Sequence, residues 1–160
     1  MASWQAATDD AGQPGVGQIV IGDGSEDDFA EIVALDERVT GLSRPEFWHE
    51  FRLQKATSNA LIVLVARHAG EIVGYATGEV RTWPVRGSAC GWVYAIGVAK
   101  EHRLKRAGSA LMAEMISRFR ASGIGTIRTM IDVDDHLLMS FLRSMGMTAG
   151  PFVELEMPIA

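Results

Sequence analysis

Cysteine is nearly absent from this chain of 160 residues, where Cys90 stands alone. A single thiol excludes an internal disulfide framework and a cysteine-based zinc site. Histidine is also scarce. His49, His68, His102 and His136 lie far apart, and none shows the paired spacing of a helical metal motif. We therefore expect no structural metal and a cytoplasmic protein. No apolar run is long enough to span a bilayer. Residues 1–17 lack the basic start and apolar stretch of a secretory signal, so no membrane partner is expected. The net charge is −5, and aromatic residues do not interleave with basic ones. Both features argue against a nucleic-acid surface.

What remains is ordinary for a folded domain, with 48% hydrophobic and 22% charged residues. The Gly-, Pro- and polar-rich residues 1–17 read as a flexible tail. Residues 18–160 read as one domain without repeats or an internal linker. Gln18 to Ile21 is a short strand. Ser25 is a helix N-cap, followed by acids at Asp27 and Asp28 and an apolar stripe through Phe29, Ile32, Val33 and Leu35-Asp36 that ends near Gly41. Ser43-Arg-Pro-Glu46 has the form of a capping box and opens a second helix, with Phe47, Trp48 and Phe51 on its apolar side. Ala60–Arg67 and Glu71–Arg81 form a hairpin, and Gly91–Val98 is the third strand of the meander. Helices follow over Ala107–Arg120 and His136–Ser144, with Gly146 as a natural stop. A strand at Thr126–Val133 separates them, and Phe152–Met157 alternates as a last strand. The sum is a mixed α/β domain.

The most informative segment joins the third strand to the third helix. It holds Lys100, Arg103, Lys105 and Arg106 against one acid, Glu101, within an otherwise acidic chain. Amide groups in the first turn of a helix lack intrahelical partners, and the helix dipole favours an anion there. A strand, a basic loop and a helix start in this order form a place to hold the phosphates of a small ligand.

The layout and the loop together resemble the GNAT superfamily of acyl-CoA-dependent N-acetyltransferases. In that family a strand ends in an aliphatic residue, and Arg or Gln, two residues, Gly, one residue, and Gly or Ala follow at the start of a helix. Val98, Arg103 and Gly108 match, and Ser109-Ala-Leu-Met112 continues the pattern. The resemblance implies a central mixed sheet, mostly antiparallel, flanked by about four helices, with acetyl-CoA inserted where the central strands splay apart. It places Ile96, Gly97 and Val98 along the pantetheine and acyl arm, with backbone N–H groups able to stabilise an oxyanion. Arg103, Leu104, Lys105, Arg106, Ala107, Gly108 and Ser109 would surround the diphosphate, and Asp135 takes the place of the family's Asn. The implied acceptor is an amine on a small molecule or a protein, and a homodimer is compatible with the sequence.

Three further positions depart from the family pattern. The first motif glycine is Arg106, the usual Tyr is Leu142, and a strand position that often carries a catalytic Glu is Trp92. The losses at Leu142 and Trp92 motivate an alternative reading as a non-catalytic acyl-CoA sensor. Glu79 is the leading candidate base, against an exposed strand carboxylate facing Lys or Arg. Tyr94 is a candidate proton donor in place of the missing phenol, against a core or acceptor-pocket aromatic. Asp132, Asp134 and Asp135 suit a helix cap better than a divalent metal. His136 reads as a solvent-facing first-turn residue, and Cys90 as an inert thiol. By the same resemblance Phe47, Trp48 and Phe51 would flank the acceptor cleft, against the plainer role of an amphipathic helix packing on the sheet.

Overall fold

A computed structural model describes residues 18–82 and 88–159; the tail expected at residues 1–17 lies outside them. Strands β1 (Ile19–Asp23), β2 (Leu61–His68), β3 (Glu71–Thr82), β4 (Ala89–Val98) and β5 (Ile127–Arg128) lie side by side in that order. The first four form an antiparallel meander, and β5 runs parallel to β4. Helices α1 (Phe29–Thr40), α2 (Pro45–Thr57), α3 (Ala107–Ala121) and α4 (His136–Ser144) surround the sheet. The fold class is the mixed α/β one expected, with a mostly antiparallel sheet.

The two faces of the sheet carry separate cores. Successive residues of a strand point to opposite faces, so β2 sends Val63 and Val65 towards α1 and α2, and Leu64 and Ala66 towards α3. Coverage on both faces accounts for the unbroken apolar run in this strand. Phe29, Ile32, Leu35, Trp48 and Phe51 fill the first core, and Leu111, Met115 and Phe119 fill the second. Gly91 is required beneath α3: a Cβ there would lie 2.4 Å from the Phe119 ring.

Helix α1 ends in a left-handed Gly41 (φ 73°) whose N–H donates to Glu37 O at 2.8 Å. Ser25 precedes it as expected, and both its N–H and its hydroxyl donate to Asp28 Oδ2 at 2.8 Å. A single turn of 3-10 helix, Glu26–Asp28, intervenes before α1. Arg67 Nη2 donates to Asp28 Oδ1 at 2.6 Å and ties this entry to β2.

Three expectations need correction. The capping box predicted from Ser43 does not form: Arg44 is the N-cap of α2, without a side-chain cap bond, and its guanidinium turns instead to a buried carboxylate on α1. The strand predicted over Thr126–Val133 pairs only at Ile127 and Arg128, because the chain beyond leaves β4. The strand predicted over Phe152–Met157 is absent. Val153, Leu155 and Met157 are 84%, 92% and 78% exposed. Alternation supplies a strand's faces, but a strand also needs a neighbour to complete its ladder, and this segment has none among the described residues. No helix among the described residues is long and apolar enough to cross a membrane.

Candidate active site

The departure of β5 from β4 creates the site. The two strands pair at Gly91–Ile127 and Trp92–Arg128. Thr129 then donates from Oγ1 to Val93 O at 2.9 Å. Beyond that point the chains separate, with Ala95–Val98 on one side and Met130–Asp132 on the other. Between them opens a cleft of about 1060 Å³. The β4 edge facing it has no strand partner among the described residues, so its backbone groups, apart from Val98 O, which accepts from Arg103, are available to a ligand.

A bulge sharpens this arrangement. Thr77 lies opposite Ala95 but Gly78 lies opposite Val93, which leaves Tyr94 as the extra residue of β4. Tyr94 and Ala95 consequently both pack towards α1 and α2. Gly97 must be glycine here, because a Cβ would come within 2.6 Å of the Tyr75 ring.

The basic turn closes one end of the cleft. Lys100 and Arg103 line it, as do Gly108 and Ser109 at the mouth of α3. Arg103 Nε donates to Val98 O at 3.2 Å, which fastens the guanidinium to the end of β4. The first intrahelical bond runs from Ala110 N to Arg106 O at 2.9 Å, so the amides of Ala107, Gly108 and Ser109 precede the helical ladder. Ala107 is fully buried in the α3 core and does not line the cleft. The side chains of Leu104 and Lys105 lie outside the described part of the structure. Asp135 lines the cleft while its Oδ1 accepts the Leu138 amide at 2.9 Å, which makes it the N-cap of α4. Asp132 Oδ1 likewise accepts the Asp134 amide at 2.9 Å.

Arg106 does not line the cleft. It is exposed and left-handed, with φ 62° and ψ 14°, a conformation that glycine adopts without cost. Arg106→Gly should therefore stabilise the fold by about 1 kcal/mol, raising the thermal midpoint by roughly 2–4 °C. Loss of an exposed cation should weaken acetyl-CoA binding by less than about fivefold. Differential scanning fluorimetry with and without acetyl-CoA checks both outcomes; a lower midpoint for the variant would contradict the strain argument.

Glu79 and Tyr94 meet. The Tyr94 hydroxyl donates to Glu79 Oε1, and Arg81 Nε approaches the same oxygen at 3.1 Å. Glu79 is therefore a strand carboxylate facing an arginine and also the acceptor for a cleft phenol. Tyr94 lines the cleft; Glu79 stands behind it, outside the lining. Burial first, and then the Glu79 carboxylate, push the Tyr94 phenol up to about 12, so it keeps its proton at neutral pH. Trp92 carries the Arg81 guanidinium 5.6 Å from its ring centroid. Leu142 is buried, and on α4 it is Leu137, Leu138 and Phe141 that line the cleft. His136 is exposed, and Cys90 is buried.

A further group was not singled out from the sequence. Asp36, on α1, is buried, and its carboxylate accepts from Arg44 Nη2 at 2.5 Å, Arg44 Nε at 3.1 Å, Trp48 Nε1 at 2.7 Å and the Tyr75 hydroxyl. Burial and then the Asp36 carboxylate push the Tyr75 phenol far above its usual range. Arg44 and Tyr75 line the cleft, and Tyr75 supports Gly97. The sequence signal was a carboxylate on the apolar stripe of α1, since such a group is buried only with partners.

The profile of the Acetyltransferase (GNAT) family matches residues 27–147. No curated protein matches the chain in sequence. Among solved structures, an aminoglycoside N-acetyltransferase, AAC(6')-Iy, in complex with CoA superposes with a TM-score of 0.78 at 13% identity, covering 92% of this chain and 99% of that one. An aminoglycoside antibiotic 6'-N-acetyltransferase from Acinetobacter baumannii gives 0.75 at 16% identity, covering 89% and 100%. A transcriptional regulator from Bacillus halodurans C-125 gives 0.74 at 19% identity, covering 89% and 100%. These likenesses speak to the fold, and the family match spans most of the chain. The chain belongs to the GNAT family of acetyltransferases.

Proposed function

We propose that this acetyltransferase moves the acetyl group of acetyl-CoA to a primary amine by direct attack of the amine on the thioester. The observation that carries the reading is the cleft at the β4–β5 separation, with the basic mouth of α3 at one end and Tyr94 on its wall. Lys100, Arg103 and the amides of Gly108 and Ser109 bind the phosphates. The free edge of Ala95–Val98 orients the acyl arm, and its N–H groups face the oxygen on which negative charge develops.

Glu79 and Tyr94 then move one proton. Attack forms the N–C bond, and the nitrogen gives up a proton through water to the Glu79 carboxylate. The C–S bond breaks, and the Tyr94 hydroxyl protonates the departing sulfur. Glu79 returns its proton to the Tyr94 oxygen, which restores both groups. This pair supplies the two functions lost at Trp92 and Leu142, and it favours the enzyme over the sensor reading.

Acceptor candidates are a protein lysine, a protein N-terminus or a small amine; several structural neighbours are aminoglycoside acetyltransferases, so an aminoglycoside belongs in the panel. The test is acetyl-CoA-dependent thiol release with detection of the acetylated amine by mass spectrometry. Amine-dependent release is the expected result; tight CoA binding without transfer to any acceptor would overturn the reading. The reading includes a cytoplasmic setting and a homodimer. The exposed apolar residues Val153, Leu155, Met157 and Ile159 support self-association, which sedimentation of the chain with and without residues 152–160 would measure.

A further inference from the structure

One face of α2 carries Phe47, Glu50, Phe51 and Gln54, spaced so that all four lie side by side. With Tyr94 they line a second cavity, of about 190 Å³. Phe47 and Phe51 have ring centroids 5.9 Å apart, and Phe51 meets Tyr94 edge-on at 5.9 Å. Three aromatic residues, one acid and one amide therefore line a space that holds a few heavy atoms. Tyr94 is shared: it also lines the large cleft, so it forms the partition between the two spaces.

The charges around this cavity leave one acid over. The Arg44 guanidinium lies 5.3 Å from the Phe47 centroid, but it is bound to Asp36. Arg81 lies 5.9 Å from the Tyr94 centroid and is paired with Glu79. Glu50 is exposed and has no ion-pair partner among the described residues. Aromatic faces attract cations through the ring quadrupole, and a nearby carboxylate adds to that attraction.

We infer that this cavity is the acceptor's second anchor: it binds a positively charged ammonium group while the reacting amine of the same molecule sits across Tyr94 in the cleft. The acceptor class is then a diamine or polycationic amine with its charges a short spacer apart. The inference rests on the amine-transfer reading above and names the substrate class for that site. An anionic or purely apolar acceptor gains nothing from Glu50.

The test compares 1,4-diaminobutane and its longer homologues with butylamine as acceptors, in wild type and in Glu50→Gln. The wild type should prefer the best diamine in kcat/KM, and the preference should fall about three- to fivefold in Glu50→Gln, mainly through KM. Phe47→Leu, which keeps an apolar side chain without the ring, should lower the same preference about threefold. Thermal midpoints of both variants verify that they are folded. Transfer to amines with a diamine preference unchanged in both variants would overturn this inference and leave the amine-transfer reading standing. Acetyl-CoA binding without transfer to either kind of amine would overturn that reading and this inference with it.

Discussion

Asp36→Ala should lower the free energy of unfolding by about 3–5 kcal/mol, the usual cost of removing one partner of a buried ion pair. Trp48 and Tyr75 are almost fully buried, and both donate to this carboxylate. Its loss leaves an indole N–H and a phenol O–H without acceptors, and it removes the counter-charge of Arg44. In a domain of this size the thermal midpoint should drop by roughly 10 °C. The damage should extend to the cleft, since the Tyr75 ring packs against Gly97 on the edge proposed to hold the acyl arm. The KM for acetyl-CoA should therefore rise in the folded variant. Urea titration followed by tryptophan fluorescence measures the stability; a loss below about 1 kcal/mol would show that solvent or neighbouring groups replace the carboxylate.

Tyr94→Phe should lower kcat by about 10²–10³-fold, the range for removing a positioned general acid. Acetyl-CoA binding should change little, because the ring that packs against Phe51 is retained. Glu79→Gln should cause a loss of similar size. The double variant should be scarcely worse than either single one, because the two groups pass the same proton in series. The pH dependence follows from the phenol held up to about 12. Tyr94 stays protonated through the neutral and mildly alkaline range, so no loss of activity below about pH 10 should arise from its ionisation. If both single variants keep activity within threefold of wild type, catalysis rests on positioning along β4 and the proton relay is wrong.

Local chemistry made much of this molecule legible. The continuous apolar run of β2, the stripe Leu111, Met115, Phe119 on α3, and the cap at Asp135 depend on residues close in sequence, and each element formed where its pattern lay. The errors have one physical source, which is dependence on a distant partner. Thr126–Val133 has strand chemistry, but its neighbour β4 bends away, and only two residues pair. Phe152–Met157 alternates without an edge to join. At the site, Glu79 and Tyr94 could be named as separate candidates, but their contact depends on the β3–β4 register, which sets Glu79 opposite Trp92 and which periodicity does not reveal. The Asp36 cluster joins α1, α2 and β3, so only the folded chain brings its donors together. Arg106 stands where the resemblance expects glycine, and its backbone is left-handed, the conformation that glycine adopts without cost.

The central claim is that acetyl-CoA lies between the free edge of β4 and the mouth of α3. Titration of the isotope-labelled protein with CoA and with acetyl-CoA, followed by amide NMR, tests it most directly. The largest shifts should fall on Ile96–Val98 and Ala107–Ser109, with acetyl-CoA and CoA differing chiefly near Tyr94. Saturable binding whose shifts spare both segments, or no binding at all, would contradict the account.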